Sequence, residues 1–169
     1  MRTKKSLCFS LGLFIIMVWI WGFAGPALSE TLKCKSETKG VVRAEDNLYQ
    51  KYFLGVTASE GTATCENGET ATVKTFSSWY ASFPEEGFTQ AYIMFTFKDA
   101  AVIIMKTNYT QVQDPKREAR WLWEGTGEII NGGNRFQGIK GSTSYKGKQL
   151  PPDRIAVTEY TITYTLPQK

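Results

Sequence analysis

Between residues 90 and 97, Ala91, Ile93, Phe95 and Phe97 alternate with Tyr92, Met94 and Thr96. This is the period of a β-strand, whose successive side chains point to opposite faces. Lys98-Asp99 turns the chain into a second run over residues 101–109. Both faces of the pair carry apolar side chains, so neither reads as freely solvated: one fills a closed interior and the other meets a second layer or a partner subunit. Residues 154–166 set Ala156, Thr158, Tyr160, Ile162 and Tyr164 against Ile155, Val157, Glu159, Thr161 and Thr163. Residues 120–130 and 139–149 predict two further strands, the first entered through the charged turn Asp114-Pro115-Lys116-Arg117-Glu118. Upstream, residues 62–65 and 70–75 flank Asn67-Gly68, a pair suited to a type I′ hairpin turn because both central positions need positive φ. Residues 32–39 are lysine-rich and weakly patterned, and 44–52 predict a short helical turn or a loop. No amphipathic helix exceeds about three turns, which excludes folds that need crossover helices. The pattern predicts an all-β chain closed into an antiparallel β-barrel of about eight strands, since closure removes exposed edges.

The N-terminus has a different composition. Arg2, Lys4 and Lys5 precede an uncharged stretch, rich in Leu, Ile, Phe and Trp, that runs to Ser29. This is the layout of an export signal, with small residues at Ala27 and Ser29 for cleavage before Glu30. The division is therefore 1–29 as a signal segment and 30–169 as a single barrel domain. The rival reading is an uncleaved membrane anchor, because up to about 18 apolar residues reach the lower limit for spanning a bilayer. Lys33 stands where lipidation of Cys34 would need a small residue. The chain has 20 basic and 16 acidic residues, but the signal removes three cations and no acid. What remains is nearly balanced and has no Lys/Arg cluster to follow a phosphate backbone, so nucleic acid is not an expected partner. Without Cys8, two cysteines are left. In an oxidising compartment, periplasmic or extracellular, they predict one disulfide, Cys34 to Cys65, with two separate thiols as the alternative.

The chain contains no histidine, which removes Ser-His-Asp and Cys-His catalysis and the usual zinc and iron sites. No metal or cofactor is expected. Gly125-Thr126-Gly127 and Gly132-Gly133 are followed by a strand and not by the helix that a dinucleotide site needs. Gly133 and Gly138 have the spacing of a phosphate loop, but Ile139 and Lys140 occupy its Lys and Ser/Thr positions. Acid or base chemistry falls to carboxylate, tyrosine, lysine or arginine. Arg120, Leu122 and Glu124 share one strand face, and Trp121, Trp123 and Gly125 share the other. If the first face turns inward, Glu124 becomes a tuned acid or base; if it turns outward, Arg120 and Glu124 are solvated charges worth little. Trp121 and Trp123, with Tyr92, Met94, Tyr160 and Tyr164, are the candidate lining of an apolar ligand cavity, or else plain core.

Residues 125–141, reading GTGEIINGGNRFQGIKG, resemble the signature of allene oxide cyclase and dirigent-like β-barrels: a strand, a glycine-rich turn of the form GGTGxF, and a following strand that ends in glycine. The hairpin around Phe97-Lys98-Asp99 is similar to the strand pair that precedes this signature. Asn134 stands where glycine is common, a tolerable change because asparagine enters the left-handed region readily. The resemblance covers residues 90–145 and implies an eight-stranded barrel of the calycin type, often a homo-dimer or homo-trimer. None of the functional residues of those families matches a numbered position here, so no catalytic role is implied.

Three functions follow as expectations. The first is an exported barrel that binds a small apolar or aromatic molecule in its interior without evident catalytic machinery. The second is a cyclase- or isomerase-type enzyme in which barrel shape enforces one substrate conformer, assisted by a carboxylate such as Glu124. The third is a structural or partner-binding envelope protein whose barrel is packed solid.

Overall fold

The computed structural model of the chain describes residues 29–49, 52–82, 86–152 and 154–167; the expected signal segment lies almost entirely outside them. Eight strands run in chain order: β1 (Ser29–Tyr49), β2 (Tyr52–Cys65), β3 (Thr70–Ser82), β4 (Glu86–Phe97), β5 (Val102–Gln113), β6 (Trp121–Gly133), β7 (Lys140–Leu150) and β8 (Ile155–Thr165). Each pairs antiparallel with the next, and β8 returns to β1, from Ser29 opposite Thr165 to Thr38 opposite Ala156. The sheet is thus a closed barrel.

The weakly patterned stretch 32–39 is the part of β1 that closes it. Leu32, Cys34, Ser36 and Thr38 are buried, while Lys33, Lys35, Glu37 and Lys39 are exposed. The alternation was present but was carried by small polar residues as much as by apolar ones. The predicted turn or loop at 44–52 is instead strand up to Tyr49 and again from Tyr52. There the ladder to β2 holds the chain extended, from Ala44 opposite Val56 to Asn47 opposite Phe53, although residues 41–47 are exposed. Opposite the end of β8, β1 runs on past the barrel as an overhang paired only to β2, with a bulge between Gly40 and Val42.

The Asn67-Gly68 hairpin forms, but not with a type I′ turn. Only Gly68 takes positive φ, at 83°; its N–H donates to Cys65 O at 2.9 Å, and Cys65 N–H donates to Glu69 O at 2.9 Å. This is a tight turn followed by a glycine bulge, and the Asn67 side chain accepts from Glu69 N–H. Asn134 does enter the left-handed region, at φ 56°.

Val73, Phe95, Ile103, Met105 and Ile162 are fully buried and fill the lower half of the barrel. Phe136, from a short 3-10 turn at Asn134–Phe136, closes that end against Phe97 and Tyr164, with ring centroids 5.4 and 5.7 Å away. Arg135 latches three hairpins together. Its guanidinium lies over the Phe97 and Phe136 rings, meets Glu69 at 2.6 Å and reaches Asp99 at 3.2 Å. Outside, Leu54, Tyr80 and Phe88 are register neighbours on β2, β3 and β4, with Phe76 and Tyr92 close by on the same exposed face.

Cys34 and Cys65 are opposite one another on β1 and β2, buried, and joined by the expected disulfide. The bond closes a loop with a sequence separation of 31, which on chain-entropy grounds stabilises by about 3–4 kcal/mol. Replacing both cysteines by serine is expected to lower the urea-unfolding free energy by about that amount. Equal midpoints for the two proteins would contradict it.

Candidate functional site

The upper half of the barrel is open. A cavity of 620 Å³ enters from the end that carries the β5–β6 and β7–β8 connections. Its inner walls follow from strand alternation: Trp79 and Ala81 share a face of β3 with buried Ser77, and Trp121 and Trp123 share a face of β6 with Gly125 and Gly127. Hydroxyls are interleaved with the rings, among them Thr57, whose Oγ1 accepts from Trp79 Nε1 at 3.1 Å.

A layer of phenols divides the cavity from the packed half. Tyr109, Gly125, Tyr145 and Tyr160 are successive register partners from β5 to β8. Tyr109 meets Tyr145 edge-on at 5.8 Å, Tyr145 meets Tyr160 at 5.7 Å, and Tyr160 stands edge-on to Phe95 below at 5.2 Å. The layer depends on Gly125. A Cβ there would collide with the Asn108 carbonyl and Tyr109 Cβ and press on the Tyr145 hydroxyl, which donates to Asn108 O at 3.2 Å. Two buried hydroxyls in this region lack an aligned partner, Thr89 Oγ1 and Ser36 Oγ. Each lies beside a phenol, Tyr109 and Tyr160 respectively, and its interaction with the phenol hydroxyl opposes the rise in pKa that burial causes. Thr89 lines the cavity.

The mouth is cationic. Lys39, Arg43, Arg120 and Arg154 line it, and Glu45 is the one carboxylate among the described lining residues. Arg43, on the β1 overhang, binds Glu45 through Nε at 2.9 Å and Nη2 at 2.6 Å and lies 5.1 Å above the Trp79 ring. The backbone N–H of Arg120 donates to Gln149 O at 2.8 Å, which ties this residue to the end of β7. Partial burial, and then the repulsion of Arg154 and Arg43, lower the pKa of its guanidinium, with Glu45 acting in the opposite sense. Neither Arg120 nor Arg154 joins an ion pair among the described residues.

The sequence candidates divide accordingly. Trp121, Trp123, Tyr160 and Arg120 come together at the cavity. Tyr164 points inward but belongs to the sealed end, where its hydroxyl donates to Glu30 at 2.7 Å. Tyr92 and Met94 lie on the opposite face of β4 from the cavity residues Ala91 and Ile93, and Tyr92 is 44% exposed. Glu124 also faces out. It lines an open groove of 1040 Å³ on the outer wall, where its register neighbour Lys146 pairs with Glu159 at 3.4 Å. The Arg120/Glu124 face is therefore the outer one, and Arg120 reaches the mouth because it precedes the strand. Sequence reasoning missed Trp79, Tyr109 and Tyr145, all in phase with buried residues of their own strands. It also missed Arg43, whose phase is shifted by the bulge, and Arg154, which lies in a turn.

Burial is the first cause of raised phenol pKa values at Tyr109 and Tyr164, each to about 12, and at Tyr145 and Tyr160. The folded state keeps protons that an unfolded chain releases near pH 10, so this stability is complete below about pH 10 and is lost as pH rises through about 12. Absorbance titration at alkaline pH is expected to show these four phenols ionising late, together with loss of near-UV dichroism. Complete ionisation near pH 10 in a still-folded protein would refute the buried layer.

No protein-family model matches the sequence, and no curated protein matches it significantly. Among solved structures, the chain is similar to the pterocarpan synthase dirigent protein PsPTS1, with a TM-score of 0.52 and 14% identity over 84% of this chain and 96% of that one. A second, the pterocarpan synthase dirigent protein GePTS1, aligns with a TM-score of 0.47 and 11% identity over 85% and 94%. At such identities the likeness concerns the fold alone: this chain has a dirigent-like eight-stranded β-barrel.

Proposed function

We propose that this chain is an exported barrel that takes a small apolar or aromatic molecule into its open half. The observation that carries this reading is the 620 Å³ cavity, of a size suited to one small ligand, walled by Trp79, Trp121, Trp123, Tyr109, Tyr145 and Tyr160. A barrel packed solid, as in a purely structural protein, would have no such space. The cyclase reading called for a buried carboxylate facing the cavity. Glu124 lies outside, and Glu45 is half exposed and held by Arg43. The charged-then-apolar leader and the buried disulfide support export.

Every tryptophan beyond residue 29 lines the cavity, so intrinsic fluorescence reports its occupancy. Titration with a library of phenols and lipids is expected to give saturable quenching by at least one member. Ala156→Phe, which places a ring in the space, should weaken that binding by about tenfold or more. A silent library in both fluorescence and thermal shift would remove the reading.

The outer face of β2–β4 supports the self-association expected from the family resemblance, because Leu54, Phe76, Tyr80, Phe88 and Tyr92 make it a contiguous exposed apolar patch. Sedimentation velocity is expected to find a dimer or trimer that Phe76→Glu with Phe88→Glu converts to monomer. A monomeric parent protein would rule it out.

A further inference from the structure

The proposed binding reading leaves the charge of the ligand open, and the charged side chains that line the cavity all stand at its mouth. The rim carries Lys39, Arg43, Arg120 and Arg154 against Glu45. Arg43 and Glu45 form an ion pair, while neither Arg120 nor Arg154 joins one among the described residues. Two guanidiniums that line the same cavity mouth form a site for an oxyanion. Between rim and floor the walls are indole and phenol rings, which suit a flat aromatic body more than a flexible chain. From Arg120 to Gly125, at about 3.3 Å per residue, the span is roughly 16 Å along the strand, longer than a single ring.

We propose that the ligand class is an elongated aromatic carboxylate: the carboxylate accepts from Arg120 and Arg154 at the mouth, and the rings stack among Trp79, Trp121 and Trp123. This rests on the binding reading above and adds the charge and shape of what is bound.

The test uses the mature protein and three probes: para,para′-hydroxybiphenyl carboxylate, its neutral carboxamide, and dodecanoate. Each is titrated by tryptophan quenching and checked by calorimetry. The carboxylate is expected to bind about tenfold more tightly than the carboxamide, a difference that two charge-assisted contacts supply. In Arg120→Gln/Arg154→Gln the ratio should fall to about one, whereas Lys74→Gln on the outer wall should leave it unchanged. Far-UV dichroism establishes that each variant is folded. Equal affinity for the carboxylate and the carboxamide overturns the anion site, and tighter binding of dodecanoate overturns the aromatic assignment. Either result leaves the cavity as a binding site. If no probe binds but other library members quench, this inference fails alone; if nothing quenches, the binding reading fails with it.

Discussion

The ladder between β1 and β8 is the interaction on which the rest depends. From Ser29 opposite Thr165 to Thr38 opposite Ala156 it joins the two ends of the meander and leaves no free edge along the barrel. It also fixes which side chains face inward, because the side-chain period is two and a slip of one residue would expose Leu32, Cys34, Ile162 and Tyr164 while burying lysines. The disulfide lies beside this seam, on the other edge of β1, and holds the closing strand to β2. The lower half is then packed as any small barrel is, with Phe95 and Met105 fully enclosed and Phe136 as the plug.

The two ends of the barrel differ because their connections differ. At the sealed end the hairpins are tight and tied together: Arg135 bridges Glu69 and Asp99, and Asn134 Nδ2 donates to Ala100 O at 2.6 Å. At the other end β1 overshoots its partner β8, and residues 114–120, 151, 152 and 154 stand around a mouth that no described side chain plugs. The same overshoot brings Arg43 over Trp79, so the strand that closes the barrel also furnishes part of its entrance.

The barrel was legible wherever alternation was written in apolar residues, as in Ala91, Ile93, Phe95 and Phe97, or in Tyr160, Ile162 and Tyr164. It was hard to see where small polar residues face inward, as Ser36 and Thr38 do, because burial of a hydroxyl depends on the neighbouring strand and not on the residue's own hydropathy. The overhang at 44–47 was illegible for a related reason: its strand conformation comes from pairing and leaves no mark in burial. Of the site, the pair Trp121 and Trp123 was visible. The difference between Tyr160, at the cavity floor, and Tyr164, one turn of the pleat further down, was not. Both are inward-facing tyrosines, and only the position of the plug separates pocket from core. Tyr92 and Met94 misled because apolar residues on both faces of a strand do not say which face is inside.

Placement of charge is the last step that binds site to fold. Glu124, Lys146, Glu159 and Lys35 follow one another across the outer wall as register neighbours, alternating in sign. Charges arranged so are screened by solvent and by one another, and they ask for no ligand. The mouth is arranged in the opposite way: cations from three separate parts of the chain converge, and one carboxylate answers one of them. Arg120 and Arg154 each lie just before a strand, where the following alternation commits Trp121 and Ala156 to the interior. The arginines are therefore held at the rim by the same register that builds the aromatic walls beneath them, and a slip that emptied the cavity would scatter the cations as well.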